Sequence, residues 1–162
     1  TTIRFRRLQM SKPNLVSLHL GEEELPWAKI ADGFFLKVVY ASARQGLWIT
    51  HTRFGPGFST QTHRHTGPVY QYTVAGAWGY REHDFIVRAG SFLYEPAGSV
   101  HTQYVPEDST EMAETWTQVY GANLNLDPQG KIEYVVDATS MVGFYLKHCE
   151  AQGLPRPNVM TD

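Results

Sequence analysis

From Phe34 onward the chain is a succession of short runs rich in β-branched and aromatic residues, each closed by glycine or proline. Phe34–Tyr40 follows the turn signal Asp32-Gly33, and Leu47–Phe54 follows Gln45-Gly46. Gly55-Pro56-Gly57 breaks the chain, and further strands are predicted around Thr60–His65, Val69–Ala75, Ala77–His83, Phe85–Arg88, Phe92–Glu95, His101–Val105 and Glu114–Tyr120. Asp127-Pro128-Gln129-Gly130 marks a turn, and Lys131–Val136 reads as the last strand. The period then changes. In Asp137–Gln152 the apolar residues Met141, Val142, Tyr145, Leu146 and Cys149 recur at helical spacing. Asp137 or Thr139 is positioned to cap this helix, and Gly153 with Pro155 to end it. About ten short strands and one helix packed outside them predict an all-β sandwich or barrel, with a jelly roll the best match to the length.

The chain has 162 residues, the size of one domain. Its expected parts are an N-terminal arm over 1–26, extended at Pro26, a β-barrel over 27–136, and a helix and tail over 137–162. Hydrophobic residues make up 42% and charged ones 19%, which supports a core and argues against disorder. A formal net charge of −2 provides no basic surplus for nucleic acid or an anionic membrane. No run reaches the ~18 apolar residues of a membrane span. The opening Thr1–Asn14 reads as no signal peptide, and the single Cys149 suits a reducing compartment, so a cytoplasmic location is expected. Cys149 itself sits among apolar helix positions and reads as core.

The chemistry concentrates in two segments. Gly57-Phe-Ser-Thr-Gln-Thr-His63-Arg-His65 places two histidines at i and i+2, which share one face of a strand and can meet one metal ion. Gly90-Ser-Phe-Leu-Tyr-Glu-Pro96-Ala-Gly98-Ser-Val-His101 adds a third. Together they resemble the paired motifs of the cupin superfamily, G-x5-H-x-H with Gly76 at its close and G-x5-P-x-G-x2-H. The resemblance implies a cupin jelly-roll barrel holding a divalent metal on His63, His65 and His101, with coordination positions left open. Two positions depart from the pattern. Val69 and Tyr70 stand where the first motif carries a glutamate, and Val105 stands where the second ends in asparagine.

Ala75-Gly76 suits a two-residue hairpin turn between Val69–Val74 and Ala77–Glu82. In that register Thr73 faces Trp78, Gln71 faces Tyr80 and Val69 faces Glu82, so Glu82 is expected in the space of the missing glutamate, as metal ligand or close partner. A slip of one residue puts His83 there instead. Glu95, just before the motif proline, reads as a turn or surface residue, and His51 and His83 as polar surface residues or groups just behind the metal ligands. His19 and His148 lie outside the barrel segment and carry no expected role.

A longer string, His63-Arg-His-Thr-Gly-Pro-Val69 with Gly76-x-Trp78-x-Tyr80-x-Glu82-His83-Asp84 and Tyr94-Glu-Pro-Ala-Gly-x-Val-His101-Thr102, resembles the 2,4′-dihydroxyacetophenone dioxygenase family over roughly residues 25–105. That resemblance implies an iron(II) enzyme, zinc or another divalent ion being the alternative, that uses O2 to split an aromatic 2-hydroxyketone into an aromatic acid and formate. Cupins that cleave acetylacetone, and zinc-binding sensor cupins without turnover, share part of the pattern. In the hydroxyketone reading Glu82, Tyr80 and Gln71 surround the reacting centre, with Tyr80 donating to a metal-bound oxygen, while Trp78 and Trp116 are slot walls or simply barrel core. If Gln71 and Thr73 face inward, Tyr70 and Tyr72 face outward, and a homodimer or homotetramer is expected to cover them.

Overall fold

Alternation along the longest strands decides the architecture. In the computed structural model, which describes residues 17–161, Gln71 and Thr73 are buried while Tyr72 and Val74 between and beside them are exposed. A strand of this kind has one wet face and one packed face, as in an antiparallel sandwich. The described residues form fourteen strands and one helix: β1 (Ala28–Ala31), β2 (Phe34–Ser42), β3 (Leu47–Phe54), β4 (His63–His65), β5 (Val69–Ala75), β6 (Ala77–Tyr80), β7 (Ile86–Arg88), β8 (Phe92–Glu95), β9 (Val100–His101), β10 (Gln103–Tyr104), β11 (Ala113–Tyr120), β12 (Asn123–Leu126), β13 (Ile132–Val136), α1 (Ala138–Ala151) and β14 (Met160–Thr161). This is the all-β barrel with one C-terminal helix that the pattern predicts. Of the expected arm, residues 1–16 lie outside the described residues. Its remainder makes one 3-10 turn at Glu22–Glu24 and buries Leu25.

One large sheet runs β1-β2-β3-β11-β5-β8, with β14 pairing parallel to β2. Two smaller sheets, β10-β6-β7 and β13-β12-β4-β9, complete the barrel, and all three line the same interior cavity. The sequence reading misses β1, β12 and β14, which are short and carry little alternation.

The expected β5–β6 hairpin does not form. Gly76 has φ +70, and a Cβ there would lie 2.3 Å from the Met112 carbonyl oxygen, so the chain turns tightly against the segment leading into β11. β5 continues in the large sheet beside β11 and β8, whereas β6 leaves it to pair with β7 and β10. Trp78 still meets Thr73, donating from Nε1 to Oγ1 at 3.0 Å, but as a contact between sheets. Trp78 is fully buried core, packed with Phe54, Tyr80, Val87 and Val105.

Helix α1 is capped by Asp137, whose side chain accepts from the Ser140 N–H at 2.8 Å. It packs Tyr145 and Cys149 against Leu25, Ala28, Leu36 and Val38, and the Tyr145 hydroxyl reaches the Pro26 carbonyl at 2.5 Å. The helix does more than cover the outside of a sheet, because Met141 lines the interior cavity.

Candidate metal centre

His63 and His65 alternate with Arg64 on β4, so both imidazoles face the interior. His101 on β9 pairs directly with His63 across the ladder. The two motifs are laced together by backbone: the Gly98 N–H donates to the His65 carbonyl at 2.7 Å and the His65 N–H to the Ser99 carbonyl at 3.1 Å. The three rings lie with centroids 4.8–5.0 Å apart, and their nitrogens form a group able to hold one metal ion. Among the described residues no other cluster of His, Cys, Asp and Glu does so.

Protonation favours this use. The His63 Nδ1 lies 2.9 Å from the Gln61 carbonyl, which fixes the N–H on that side and leaves the Nε2 lone pair for the interior. Burial, reinforced by His65 and His101, pushes the His63 pKa down to about 4, so its ring is neutral at physiological pH.

A buried carboxylate lies beside these imidazoles, and it is Glu95 rather than Glu82. Glu95 ends β8 and is buried at 4% exposure. Its Oε2 lies 3.0 Å from His65 Nε2 and 3.1 Å from His101 Nε2. Two ligands each about 2.1 Å from one ion and at right angles are about 3.0 Å apart, so this oxygen stands where a neighbouring ligand would. Glu95 Oε2 and His101 Nε2 are buried with no partner beyond this cluster, as expected of donor atoms aimed at a shared ion. Burial alone would raise the Glu95 pKa, but the imidazoles of His101 and His65 outweigh it and hold the carboxyl well below the usual range.

Tyr80 sets this carboxylate. Its hydroxyl donates to Glu95 Oε1, and its ring stacks on His101 at 4.2 Å and 19°. Burial and the adjacent Glu95 charge keep the phenol protonated, far above its ordinary pKa. The expected donation from Tyr80 to a metal-bound oxygen is thus replaced by donation to Glu95. Gln71 is buried and lines the inner cavity with Tyr80 and Glu95, as the alternation of β5 requires.

Glu82 is an exposed residue and not one of the three converging imidazole donors. Both its oxygens accept from Thr102, at 2.9 Å from the N–H and 2.9 Å from the hydroxyl, so it holds the segment that carries His101. The departure from the expected placement opposite Val69 has a simple cause. The position opposite Val69 does carry the carboxylate, but Val69 pairs with Glu95 of β8, not with a residue of β6. The missed signal was alternation: Phe92 and Tyr94 are exposed at 67% and 55%, which turns Leu93 and Glu95 inward.

The remaining expected groups lie elsewhere. His83 is exposed and stacked on Phe85. Trp116 is on the outer face, 39% exposed and stacked on His51 at 4.4 Å, so it is neither slot wall nor core. His51 is buried beneath it, with Nε2 2.7 Å from Glu114 Oε1.

Comparison with known proteins agrees with this geometry. The chain matches the family model described as the ChrR cupin-like domain over residues 17–119, and it belongs to that family. No curated protein matches it. Among solved structures it is similar to an RmlC-like cupin protein from Ralstonia eutropha JMP134, with 30% identity, TM-score 0.82, and coverage of 90% of this chain and 95% of that one. It also resembles a candidate acetylacetone dioxygenase from Methylibium petroleiphilum PM1, with 20% identity, TM-score 0.75, and coverage of 84% and 99%. An acetylacetone dioxygenase from Acinetobacter johnsonii has 14% identity and TM-score 0.70, with coverage of 91% and 99%. At such identities the last two likenesses concern the fold alone. No helix among the described residues is long and apolar enough to cross a membrane.

Proposed function

We propose that this cupin is a non-haem iron(II) dioxygenase that cleaves an aromatic 2-hydroxyketone, ArCO–CH2OH, with O2. The products are ArCOOH and HCOOH, so both oxygen atoms of O2 enter the two acids. The observation that carries the reading is the convergence of three imidazoles, with the buried Glu95 carboxylate against two of them, in an interior cavity. Iron(II) held there would act as a Lewis acid, gathering two adjacent substrate oxygens and favouring the enolate that O2 can oxidise.

The chain's own residues do the rest. His63, His65 and His101 would supply imidazole nitrogens, and Glu95 beside them one negative charge, which would lower the net charge of a divalent centre to about 1+. Tyr80 holds Glu95 through Oε1 and leaves Oε2 directed at the centre. Glu82, through Thr102, fixes the strand of His101. Val69, Leu36 and Val119 supply apolar parts of the inner wall, while Gln71 offers a polar anchor beside Tyr80 and Glu95.

The test is anaerobic loading with iron(II), followed by an oxygen electrode and product analysis with 2,4′-dihydroxyacetophenone. The proposal expects O2 uptake matched one to one by 4-hydroxybenzoate and formate. Iron-loaded protein that consumes no O2 with this compound but does so with acetylacetone would move the assignment to the diketone-cleaving cupins. Tight zinc binding with no turnover of either would move it to a sensor.

A further inference from the structure

The cavity has two compartments, and only the inner one is accounted for by a chelating ketone. The inner compartment has a volume of about 150 Å³ and contains His63, His65, Glu95, Tyr80 and Gln71. An outer chamber of about 560 Å³ lies against it, and the two share Phe34, Leu36, His63 and Met141 in their walls. A dry cavity of about 150 Å³ is enough for one benzene ring, whereas ligand pockets for larger molecules begin at about 300 Å³. The outer chamber thus exceeds what a single phenyl ring fills.

Its lining states what it takes. Phe34, Phe58, Tyr134, Met141 and Phe144 form the walls, and no Asp, Glu, Lys or Arg side chain among the described residues lines it. Apart from the His63 imidazole at the shared wall, its polar groups are uncharged amides and hydroxyls, such as Asn123, Asn125 and Ser140. Tyr134 and Phe144 at the mouth remain 48% and 41% exposed, apolar surface that an occupant would remove from water.

Resting on the proposed reaction, we infer that the substrate has two parts: a chelating head in the inner compartment, and an uncharged apolar body larger than one phenyl ring in the outer chamber. Helix α1 sets the limit on that body. Met141 stands at the junction of the compartments and Phe144 at the mouth, so these two residues determine specificity. A charged body is rejected, because nothing in the walls would pair a buried carboxylate.

The test uses three 2-hydroxyketones, with phenyl, 2-naphthyl and 4-carboxyphenyl groups, and one uncleavable probe, 2-acetylnaphthalene, titrated by fluorescence into metal-loaded protein. Relative to phenyl, kcat/KM is expected to rise about tenfold for naphthyl and to fall at least about tenfold for carboxyphenyl, in the range of small changes in an apolar pocket. Met141→Trp fills the junction and is expected to collapse the naphthyl-to-phenyl ratio with metal content unchanged. Phe144→Ala, at an exposed position with little risk to folding, is expected to weaken 2-acetylnaphthalene binding. If no hydroxyketone is cleaved but the probe binds and both variants weaken it, the chamber assignment holds and the reaction does not. If the phenyl compound is cleaved with no gain for naphthyl, and neither variant alters probe binding, the chamber assignment is overturned while the reaction stands.

Discussion

Tyr80→Phe isolates one hydrogen bond at the heart of the site. The phenylalanine keeps the ring that stacks on His101 and packs beside Trp78, and it removes only the hydroxyl that donates to Glu95 Oε1. Glu95 is buried, so water cannot easily replace the donor. A hydrogen bond to a charged group contributes about 1.5–3 kcal/mol. For a chain of this length each kcal/mol shifts Tm by about 2–4 °C, so the metal-free variant should melt about 3–12 °C below the parent. The larger consequence is for the metal. Losing an outer partner of a ligand usually costs about 10–100-fold in affinity, measurable by competition with a chromophoric chelator. A Tyr80→Phe protein that binds iron(II) within about twofold of the parent would refute the claim that Tyr80 positions Glu95 as a ligand.

Three further outcomes follow from the same geometry. Glu95→Gln should weaken metal binding at least about tenfold, whereas Glu82→Gln, which acts only through Thr102, should change it about threefold or less; the reverse order would return Glu82 to the donor set. Metal-free protein should lose stability as pH falls: His63 titrates near 4 in the fold against 6.5 for the free side chain, so the folded chain binds fewer protons between these values. Stability is then fully present above pH 6.5 and lost as pH falls through about 4, and a melting temperature that does not change from pH 7 to 4 would contradict this. Finally, Tyr72, Phe92, Tyr94, Trp116 and Tyr120 leave about 500 Å² of aromatic surface on the outer face, against about 800 Å² per partner in a stable dimer. A second copy of the chain is expected to cover this face, and sedimentation as an 18.4 kDa monomer at high concentration would exclude it.

Much of this architecture is legible in the sequence because it rests on local periods. The alternation in Leu47–Phe54 and Val69–Ala75 gives β3 and β5 with the observed bounds, and the 3.6-residue recurrence from Met141 to Cys149 gives α1, whose cap is Asp137, one of the two candidates. The three histidines follow from two motifs whose spacing holds them on paired strands. The fourth donor was less legible because it depends on which strand lies beside which. A short turn at Ala75-Gly76 suggests a hairpin, but strand pairing is settled by where each apolar face is buried. Trp78 and Tyr80 bury themselves with Val87 and Val105, which draws β6 out of the large sheet and leaves β8 to pair with Val69. The inward glutamate was concealed by its neighbours. Phe92 and Tyr94 are aromatic, yet they face outward, so the polar partner in the alternation is the buried one.

The central claim is one metal ion per chain held by His63, His65, His101 and Glu95. Elemental analysis of protein reconstituted with iron(II) and then dialysed tests it most directly. One iron per chain in the parent, with almost none in His101→Ala at an unchanged circular dichroism spectrum, is the predicted result. Full iron occupancy in His101→Ala, at the affinity of the parent, would contradict it.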